Sequence, residues 1–344
     1  MKRLVWPLRI AVAAVTIGCA IAFVPWDLCY AYLAPLPDTV QQQTDDAMRH
    51  GLDGVIVYVD RKGKPPAVYA SGWKDRQARI AADPHALFKI ASISKLYIAA
   101  ATTKLVAAHR LSLDDTLAHL LPELSGRIQN ADRITLRMML RHRSGIPNFT
   151  DQSAFRWDKD GNPRDALNLV LGMPADFAPD TRYHYSNTNY LLIGRILDKT
   201  LGYGHQDYIK AEILTQLRLT HTYGLLSEVR PADVASGYVV GLDGDMKPLD
   251  FTVPGGSMVA TAEDVGVFLR ALNDGSLLTG DEQATYSSLY PYEHTGLLPG
   301  YESIARYHKD IDTVVVVFVS TSGANSWGRI EAIESRVVRI LRKP

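Results

Sequence analysis

The feature that most constrains the fold is a serine one helical turn before a lysine, at the start of a long run of small and apolar residues. Ser92 and Lys95 are three residues apart, and an Ala- and Leu-rich run continues from Lys95 to Ala108. The run contains neither Gly nor Pro, so it predicts a helix on which both side chains share one face. Unpaired backbone N–H groups and the helix dipole at this N-terminus favour negative charge developing beside Ser92.

A hydroxyl beside an amine is the arrangement that a serine acyl-transfer enzyme requires. The alternative is a Ser N-cap followed by a surface Lys, because a single Ser-x-x-Lys occurs by chance in many chains. Two further segments bear on this choice. Tyr185-Ser186-Asn187 lies in the middle of the chain, and His294-Thr295-Gly296 lies near its end.

The periodicity of the remaining chain predicts a mixture of helices and strands. Strands rich in β-branched residues are expected at 54–60, 67–71, 302–308 and 313–319, the last two forming a hairpin. Helical periodicity and capping signals are found at 39–50, 134–140, 191–201, 261–273 and 326–342. Residues 226–254 are expected to be loop-rich, and a turn at 72–75 is expected to end the first hairpin.

Composition excludes several classes of function. The chain is 47% hydrophobic, and its 37 Lys and Arg balance 37 Asp and Glu without a basic stripe, which argues against nucleic acid as a partner.

The histidines show no metal-ligand spacing, so we expect no metal and no cofactor. Cys19 and Cys29 both lie in or beside the apolar N-terminal segment. The globular part therefore has neither a disulfide nor a thiol nucleophile.

The N-terminal segment has the composition of an export signal. Lys2, Arg3 and Arg9 precede 17 largely apolar residues, Ile10 to Trp26, short for a membrane-spanning helix and long for a signal-peptide core. We expect residues 1–35 to be a signal or an uncleaved membrane anchor, cytoplasmic at its basic end. A buried core helix is the alternative. The remainder would then lie on the periplasmic side of the inner membrane, anchored or secreted.

The order and wide spacing of the three motifs resemble the penicillin-recognising serine hydrolases: class C β-lactamases, low-molecular-weight DD-peptidases and family VIII esterases. The resemblance extends over about residues 40–340. It includes the landmarks Leu113-Asp114-Asp115, His142-Arg143-Ser144-Gly145-Ile146-Pro147 and Thr261-Ala262-Glu263-Asp264.

The resemblance implies an α/β (α+β) fold, in which an antiparallel sheet is flanked by terminal helices and a helical lobe is inserted between its halves. Residues 36–344 are expected to form this β-lactamase-related domain. The α/β lobe would comprise about residues 40–90 and 255–344, and the helical lobe about residues 91–254. The reactive groups would meet in a cleft between the two lobes.

The resemblance also assigns catalytic roles. Ser92 would be the nucleophile that forms an acyl-enzyme, and Lys95 would have to be partly neutral to accept its proton. Tyr185 would place its phenol near Ser92, share the role of base and later protonate the leaving group. The sequence leaves open which of Lys95 and Tyr185 takes the first proton.

Five further residues are implied to bind substrate. Asn187 would orient the catalytic lysine and the substrate amide. His294, Thr295 and Gly296 would lie on a strand beside the site, where Gly296 lets the substrate backbone approach closely. The backbone N–H of Leu297 and that of the nucleophile would form the oxyanion hole.

Each of these residues also has a structural interpretation when it is considered alone. Tyr185 could be a core tyrosine with a satisfied hydroxyl, Asn187 a helix cap and His294 a structural histidine. His142, in its Gly/Pro loop, is interpreted as architectural. The combination of three motifs in order, rather than any one residue, favours the catalytic interpretation.

His294 departs from the class C β-lactamases, which carry a lysine at this position. Histidine has a reference pKa of about 6.5, so it is largely neutral near neutral pH and attracts a carboxylate less than lysine does. We therefore expect better activity on uncharged short-chain esters than on penicillins or cephalosporins. Activity on carboxylate-bearing substrates is expected to improve as the pH falls toward about 6.

These expectations define a serine hydrolase acting on D-Ala-D-Ala-type peptides or small esters. Its partner would be a small molecule or a peptidoglycan peptide. One alternative is a β-lactamase, and another is a penicillin-binding sensor or scaffold that is acylated without turnover. Fold alone does not choose among these substrates.

Overall fold

The computed structural model describes residues 2–23 and 26–343. Its helices are α1 (Lys2–Phe23), α2 (Trp26–Leu33), α3 (Val40–Ala47), α4 (Ser94–Ala107), α5 (Leu117–Leu120), α6 (Leu136–Leu140), α7 (Pro163–Asn168), α8 (Asn187–Leu201), α9 (His205–Ile209), α10 (Ala262–Asp274), α11 (Gly280–Ser287) and α12 (Ser326–Leu341). Its strands are β1 (Gly54–Arg61), β2 (Ala67–Asp75), β3 (Ile80–Ala81), β4 (Phe88–Lys89), β5 (Thr222–Tyr223), β6 (Tyr238–Val239), β7 (Val259–Ala260), β8 (His294–Leu298), β9 (Tyr301–His308), β10 (Thr313–Val319) and β11 (Thr321–Ser322).

The main sheet brings distant parts of the chain together. It has six strands in the order β3-β2-β1-β10-β9-β8, and all neighbouring pairs are antiparallel. At its centre β1 pairs with β10, so that Val57 lies opposite Val317. Both strands are rich in β-branched residues, which suit a pleated and buried surface. The predicted α/β (α+β) architecture, an antiparallel sheet with flanking terminal helices, is confirmed.

Each face of the sheet is covered by helices, which explains the unbroken apolar run of β10. Val55, Val57 and Val59 of β1 share one apolar cluster with residues of α3 and α12. Ile56 and Tyr58 of the same strand belong to the second cluster, with residues of α4, α8 and α10. Because alternate side chains point to opposite faces, both faces of the strand are apolar. Full burial of such side chains contributes about 1.5–3 kcal/mol each.

Most of the predicted elements are confirmed, with one correction. Helices α3, α4, α6, α8, α10 and α12 and the β9–β10 hairpin lie where the periodicity placed them. The turn expected at residues 72–75 is wrong, because β2 continues through Asp75. The register shifts between Trp73 and Asp75, where β2 pairs with β3. A tertiary partner thus extends a strand that local turn signals would have ended. The lobe boundaries stay a prediction.

The N-terminal helix α1 exposes a series of apolar side chains, including Ile10, Val12, Val15 and Ile17. Within residues 2–23 and 26–343, none of the helices is both long enough and apolar enough to span a membrane. The export segment predicted for residues 1–35 includes residues 1, 24 and 25, which lie outside the described residues. That segment and its periplasmic destination stay predictions.

Helix α10 packs on the sheet through a glycine, and this contact yields a test of the packing. A Cβ added to Gly266 would lie 2.0 Å from Cε1 of Tyr58. We expect Gly266→Ala to lower the free energy of unfolding by about 1–3 kcal/mol, because overpacking outweighs alanine's better helix propensity. Urea denaturation of the two proteins measures this difference.

The matched control is Gly280→Ala, at the first residue of α11. A Cβ there meets no described atom within 4 Å. Its free energy of unfolding should change by no more than about 0.5 kcal/mol. Equal stability of the Gly266→Ala and Gly280→Ala proteins would contradict the tight α10–sheet contact.

Candidate active site

The serine of the first motif lies in a strained turn held by its surroundings. Strand β4 leads into a 3₁₀ turn at Ala91–Ile93, which α4 continues. Ala91 has a φ of 50°, in the left-handed region that residues with a Cβ rarely adopt. The Ser94 hydroxyl donates to the Ala91 carbonyl at 2.6 Å and accepts from the Met258 N–H at 3.3 Å. These bonds fix the backbone on both sides of Ser92.

Lys95 places its amine next to the Ser92 hydroxyl. Its Nζ lies 3.0 Å from Ser92 Oγ and donates to the Gly255 carbonyl at 2.7 Å. The side chain is only 1% exposed. Burial penalises the charged form and lowers the pKa of Lys95 to about 7. At neutral pH a large fraction of this amine is therefore uncharged and able to accept a proton.

Tyr185 contacts Ser92 from the segment that directly precedes α8. Its hydroxyl donates to Ser92 Oγ at 3.0 Å. Burial raises the pKa of Tyr185, so its phenol stays protonated. The ring stacks on the imidazole of His142, with centroids 4.4 Å apart. The Ser186 N–H donates to Nδ1 of the same imidazole at 3.2 Å, which fixes the backbone after Tyr185. His142 thus supports the position of the phenol, in line with its predicted architectural role.

The third motif lies on the outer strand β8 and packs directly on the turn that carries Ser92. A Cβ added to Gly296 would lie 2.4 Å from the Ile90 carbonyl oxygen and 3.1 Å from Cβ of Ala91. The close approach that sequence reasoning assigned to a substrate backbone is therefore made by the turn that carries Ser92. Only glycine permits this contact without displacing one of the two segments.

The backbone of Leu297 is oriented toward the free edge of β8. Residues 299–300 form a two-residue turn, and Leu298 pairs with Tyr301 across it. Hydrogen-bonded and non-hydrogen-bonded pairs alternate along an antiparallel ladder, so Leu297 occupies a non-hydrogen-bonded position. Its N–H points away from β9, as an oxyanion-hole donor requires. The Leu297 residue is 54% exposed.

Asn187 does not orient Lys95 as the resemblance implied. Its side-chain amide donates to Thr150 Oγ1 at 3.3 Å, and its backbone N–H donates to Asn148 Oδ1 at 2.9 Å. The carbonyl that holds Lys95 belongs to Gly255 instead. Sequence reasoning assigned no functional role to Gly255, because a backbone carbonyl leaves no mark on residue type.

His294 lies beside the catalytic groups but carries no charge near neutral pH. Its ring centroid is 6.3 Å from that of Tyr185. Burial and the neighbouring Lys95 lower the pKa of His294 to about 4. This lowered pKa argues against the expectation that its protonation would improve binding of carboxylates near pH 6. Its Nδ1 faces the carbonyl of Thr295, and its Nε2 faces the hydroxyl of Tyr290, which sequence reasoning did not identify.

A metal site would need a group of ligand side chains, and the described part of the chain has none. Within residues 2–23 and 26–343, no three His, Cys, Asp or Glu side chains are grouped so as to hold a metal ion.

The fold, together with the three converging motifs, is that of the penicillin-recognising serine hydrolases. The Beta-lactamase family profile matches residues 37–291. The chain belongs to this family.

Three similar proteins illustrate the relationship. Protein flp of Staphylococcus aureus (strain NCTC 8325 / PS 47) is 26% identical over 209 residues, which cover 59% of this chain and 42% of flp. Penicillin-binding protein 4 of Amycolatopsis lactamdurans is 29% identical over 249 residues, 68% of this chain and 64% of that protein. The D-amino acid amidase from Ochrobactrum anthropi SV3, complexed with D-phenylalanine, superposes with a TM-score of 0.78 at 22% identity, covering 92% of this chain and 99% of the amidase. This last likeness concerns the fold alone.

The depressed pKa of Lys95 predicts a pH profile. If the uncharged amine accepts the Ser92 proton, the acylation rate should rise with pH and reach half its plateau near pH 7. A lysine with an ordinary pKa of about 10.4 would keep the rate rising beyond about pH 9. The rate of labelling by an uncharged fluorophosphonate, measured across this range, gives the profile. A midpoint near the ordinary lysine value would contradict the assignment, provided that circular dichroism shows an unchanged fold.

Proposed function

We propose that this protein is a serine hydrolase that forms an acyl-enzyme at Ser92 and acts on small uncharged esters and amides. One observation carries the proposal. Ser92 Oγ lies 3.0 Å from Lys95 Nζ and 3.0 Å from the Tyr185 hydroxyl. A nucleophile in contact with both a group that can accept a proton and a group that can donate one has what acyl transfer requires.

Of the two groups that contact Ser92 Oγ, Lys95 accepts a proton and Tyr185 donates one. Lys95, with a pKa lowered to about 7, is the base that takes the hydroxyl proton as Ser92 Oγ attacks the carbonyl carbon. The N–H groups of Ser92 and Leu297 stabilise the oxyanion. Tyr185 then donates its proton to the leaving alcohol or amine and regains one from the lysine ammonium. Water then attacks the carbonyl carbon of the acyl-enzyme and gives a proton to the Lys95 amine; the bond between Ser92 Oγ and the acyl group breaks, the acid leaves, and Lys95 returns the proton to Ser92 Oγ.

The charges around the site favour uncharged substrates. The neutral His294 supplies no fixed cation for a carboxylate, such as that of a penicillin or of a D-Ala-D-Ala terminus. The similar amidase from Ochrobactrum anthropi adds amides of D-amino acids to the candidate class by its name. D-Ala-D-Ala-type peptides, which end in a carboxylate beside the scissile bond, are disfavoured in this proposal. A β-lactamase activity, or acylation by penicillin without turnover, is an outcome that the same assays distinguish.

The nucleophile is tested by Ser92→Ala in the full-length chain. We expect complete loss of covalent labelling by a fluorophosphonate and of p-nitrophenyl acetate hydrolysis, because no other group in the proposal attacks the carbonyl. The control is Ser287→Ala in α11, whose exposed hydroxyl donates to the Ala284 carbonyl at 2.8 Å. It should keep full activity. Normal turnover by a folded Ser92→Ala protein would overturn the proposal.

The substrate charge preference is tested by His294→Lys. A lysine adds a charge that attracts an anionic substrate by about 1.4 kcal/mol, or about tenfold in binding. We expect kcat/KM for a cephalosporin to rise about tenfold relative to kcat/KM for p-nitrophenyl acetate. The charge preference is misassigned if the wild-type protein already has the higher kcat/KM for the cephalosporin and His294→Lys leaves the ratio of the two values unchanged. Fluorescent penicillin retained without product release would indicate a sensor.

A further inference from the structure

Both ring nitrogens of His294 are engaged by the protein itself. Nδ1 lies 2.5 Å from the carbonyl oxygen of Thr295, and Nε2 lies 2.7 Å from the hydroxyl oxygen of Tyr290. The rings of Tyr290 and His294 are nearly parallel, with an interplanar angle of 15°. This leaves neither nitrogen free to meet a substrate.

The identity of the two partners determines the tautomer. A carbonyl oxygen can only accept, so Nδ1 must carry the proton that lies between it and Thr295. In the neutral ring Nε2 then carries no proton, and its lone pair accepts a hydrogen bond from the Tyr290 hydroxyl. The opposite tautomer would set the lone pair of Nδ1 against the carbonyl lone pairs. His294 is therefore a ring without an N–H directed at the cleft.

The surroundings oppose a positive charge on this ring. Lys95, Tyr185 and His142 are the nearby titratable groups on the neighbouring elements, and Lys95 and His142 can only add positive charge. Tyr290 is itself buried, and its ring packs on Tyr190 with centroids 5.2 Å apart. The hydroxyl that occupies Nε2 is thus held in place by the core.

We propose that Tyr290 is a specificity-determining positioning residue that holds His294 as a neutral, Nδ1-protonated ring and so excludes substrates with a carboxylate near the scissile bond. This inference rests on the proposed hydrolase function and explains its substrate class. The lone pair of His294 Nε2 already accepts a hydrogen bond from a buried phenol. Protonation of Nε2 to give an N–H for a substrate anion would break that bond. The substrates accepted are esters and amides that are uncharged on this side.

The tautomer is tested without any activity, by ¹⁵N NMR of the full-length chain labelled at histidine. Loss of a signal in His294→Gln assigns the ring. We expect a protonated Nδ1 and an unprotonated, hydrogen-bonded Nε2 at neutral pH. In Tyr290→Phe the Nε2 signal should shift to that of a nitrogen without this bond. Tyr292→Phe is the matched control, because its hydroxyl bonds the Gln283 carbonyl instead. A proton on Nε2, or a charged ring at neutral pH, would overturn the inference.

Specificity is tested with phenyl acetate and 3-carboxyphenyl acetate, which differ by one carboxylate. The ratio of their kcat/KM values cancels the pH dependence of Lys95, which both substrates share. In the wild type and in Tyr292→Phe this ratio should favour phenyl acetate and stay constant between about pH 6 and about pH 8. In Tyr290→Phe, Nε2 is free to take up a proton with the anion. The ratio should then shift about tenfold toward the anionic ester at the lower pH, the effect of one hydrogen bond to a charged group.

The double variant Tyr290→Phe/His294→Gln should lose this shift, because the ring that binds the proton is gone. A Tyr290→Phe protein with the same constant ratio as the wild type would overturn the assignment of specificity to Tyr290. Failure of the proposed function has a different signature. Neither ester would then be hydrolysed and Ser92 would not be labelled, and the NMR result would still decide the tautomer.

Discussion

The site depends on keeping one lysine amine out of water. Lys95 is 1% exposed, and its nitrogen is held between Ser92 Oγ and the Gly255 carbonyl. An isolated ammonium is costly to bury, so the group responds by giving up its proton near neutral pH. This requires a helix that is buried on nearly every side, and α4 has buried residues at most of its positions. The apolar cluster that contains residues of α4, α8 and α10 therefore surrounds Lys95 and its helix.

The same packing holds strained backbone in place. Ala91 and His142 have φ values of 50° and 53°, and they flank the two hydroxyls that meet at the site. Such conformations cost of order 1–3 kcal/mol each and persist only when the surrounding structure determines them. Gly296 allows β8 to press on the turn that contains Ala91. The sheet thus supplies the rigid support against which the nucleophile is positioned.

Aromatic rings, rather than charged groups, form most of the surroundings of the reactive atoms. His142 stacks on Tyr185, Tyr290 stacks on His294, and the Lys95 amine lies 5.2 Å from the centre of the Tyr185 ring. In this low-dielectric setting, whether a group is protonated has a large electrostatic effect on its neighbours. The pKa values of Lys95 and His294 are lowered and that of Tyr185 is raised, and burial is the largest cause of all three shifts.

Local patterns in the sequence predicted most of the elements and the segment that carries Ser92 and Lys95. The three-residue spacing of Ser92 and Lys95, the β-branched hairpin at the end of the chain and the order of the motifs are local patterns that fix periodicity and residue type. Only the tertiary structure showed that Gly255 and Tyr290 belong to the site and that Asn187 bonds Thr150 rather than Lys95. The physical reason is that backbone carbonyls and buried hydroxyls act through position. The pKa values of Lys95 and His294 likewise depend on burial by residues far away in the chain.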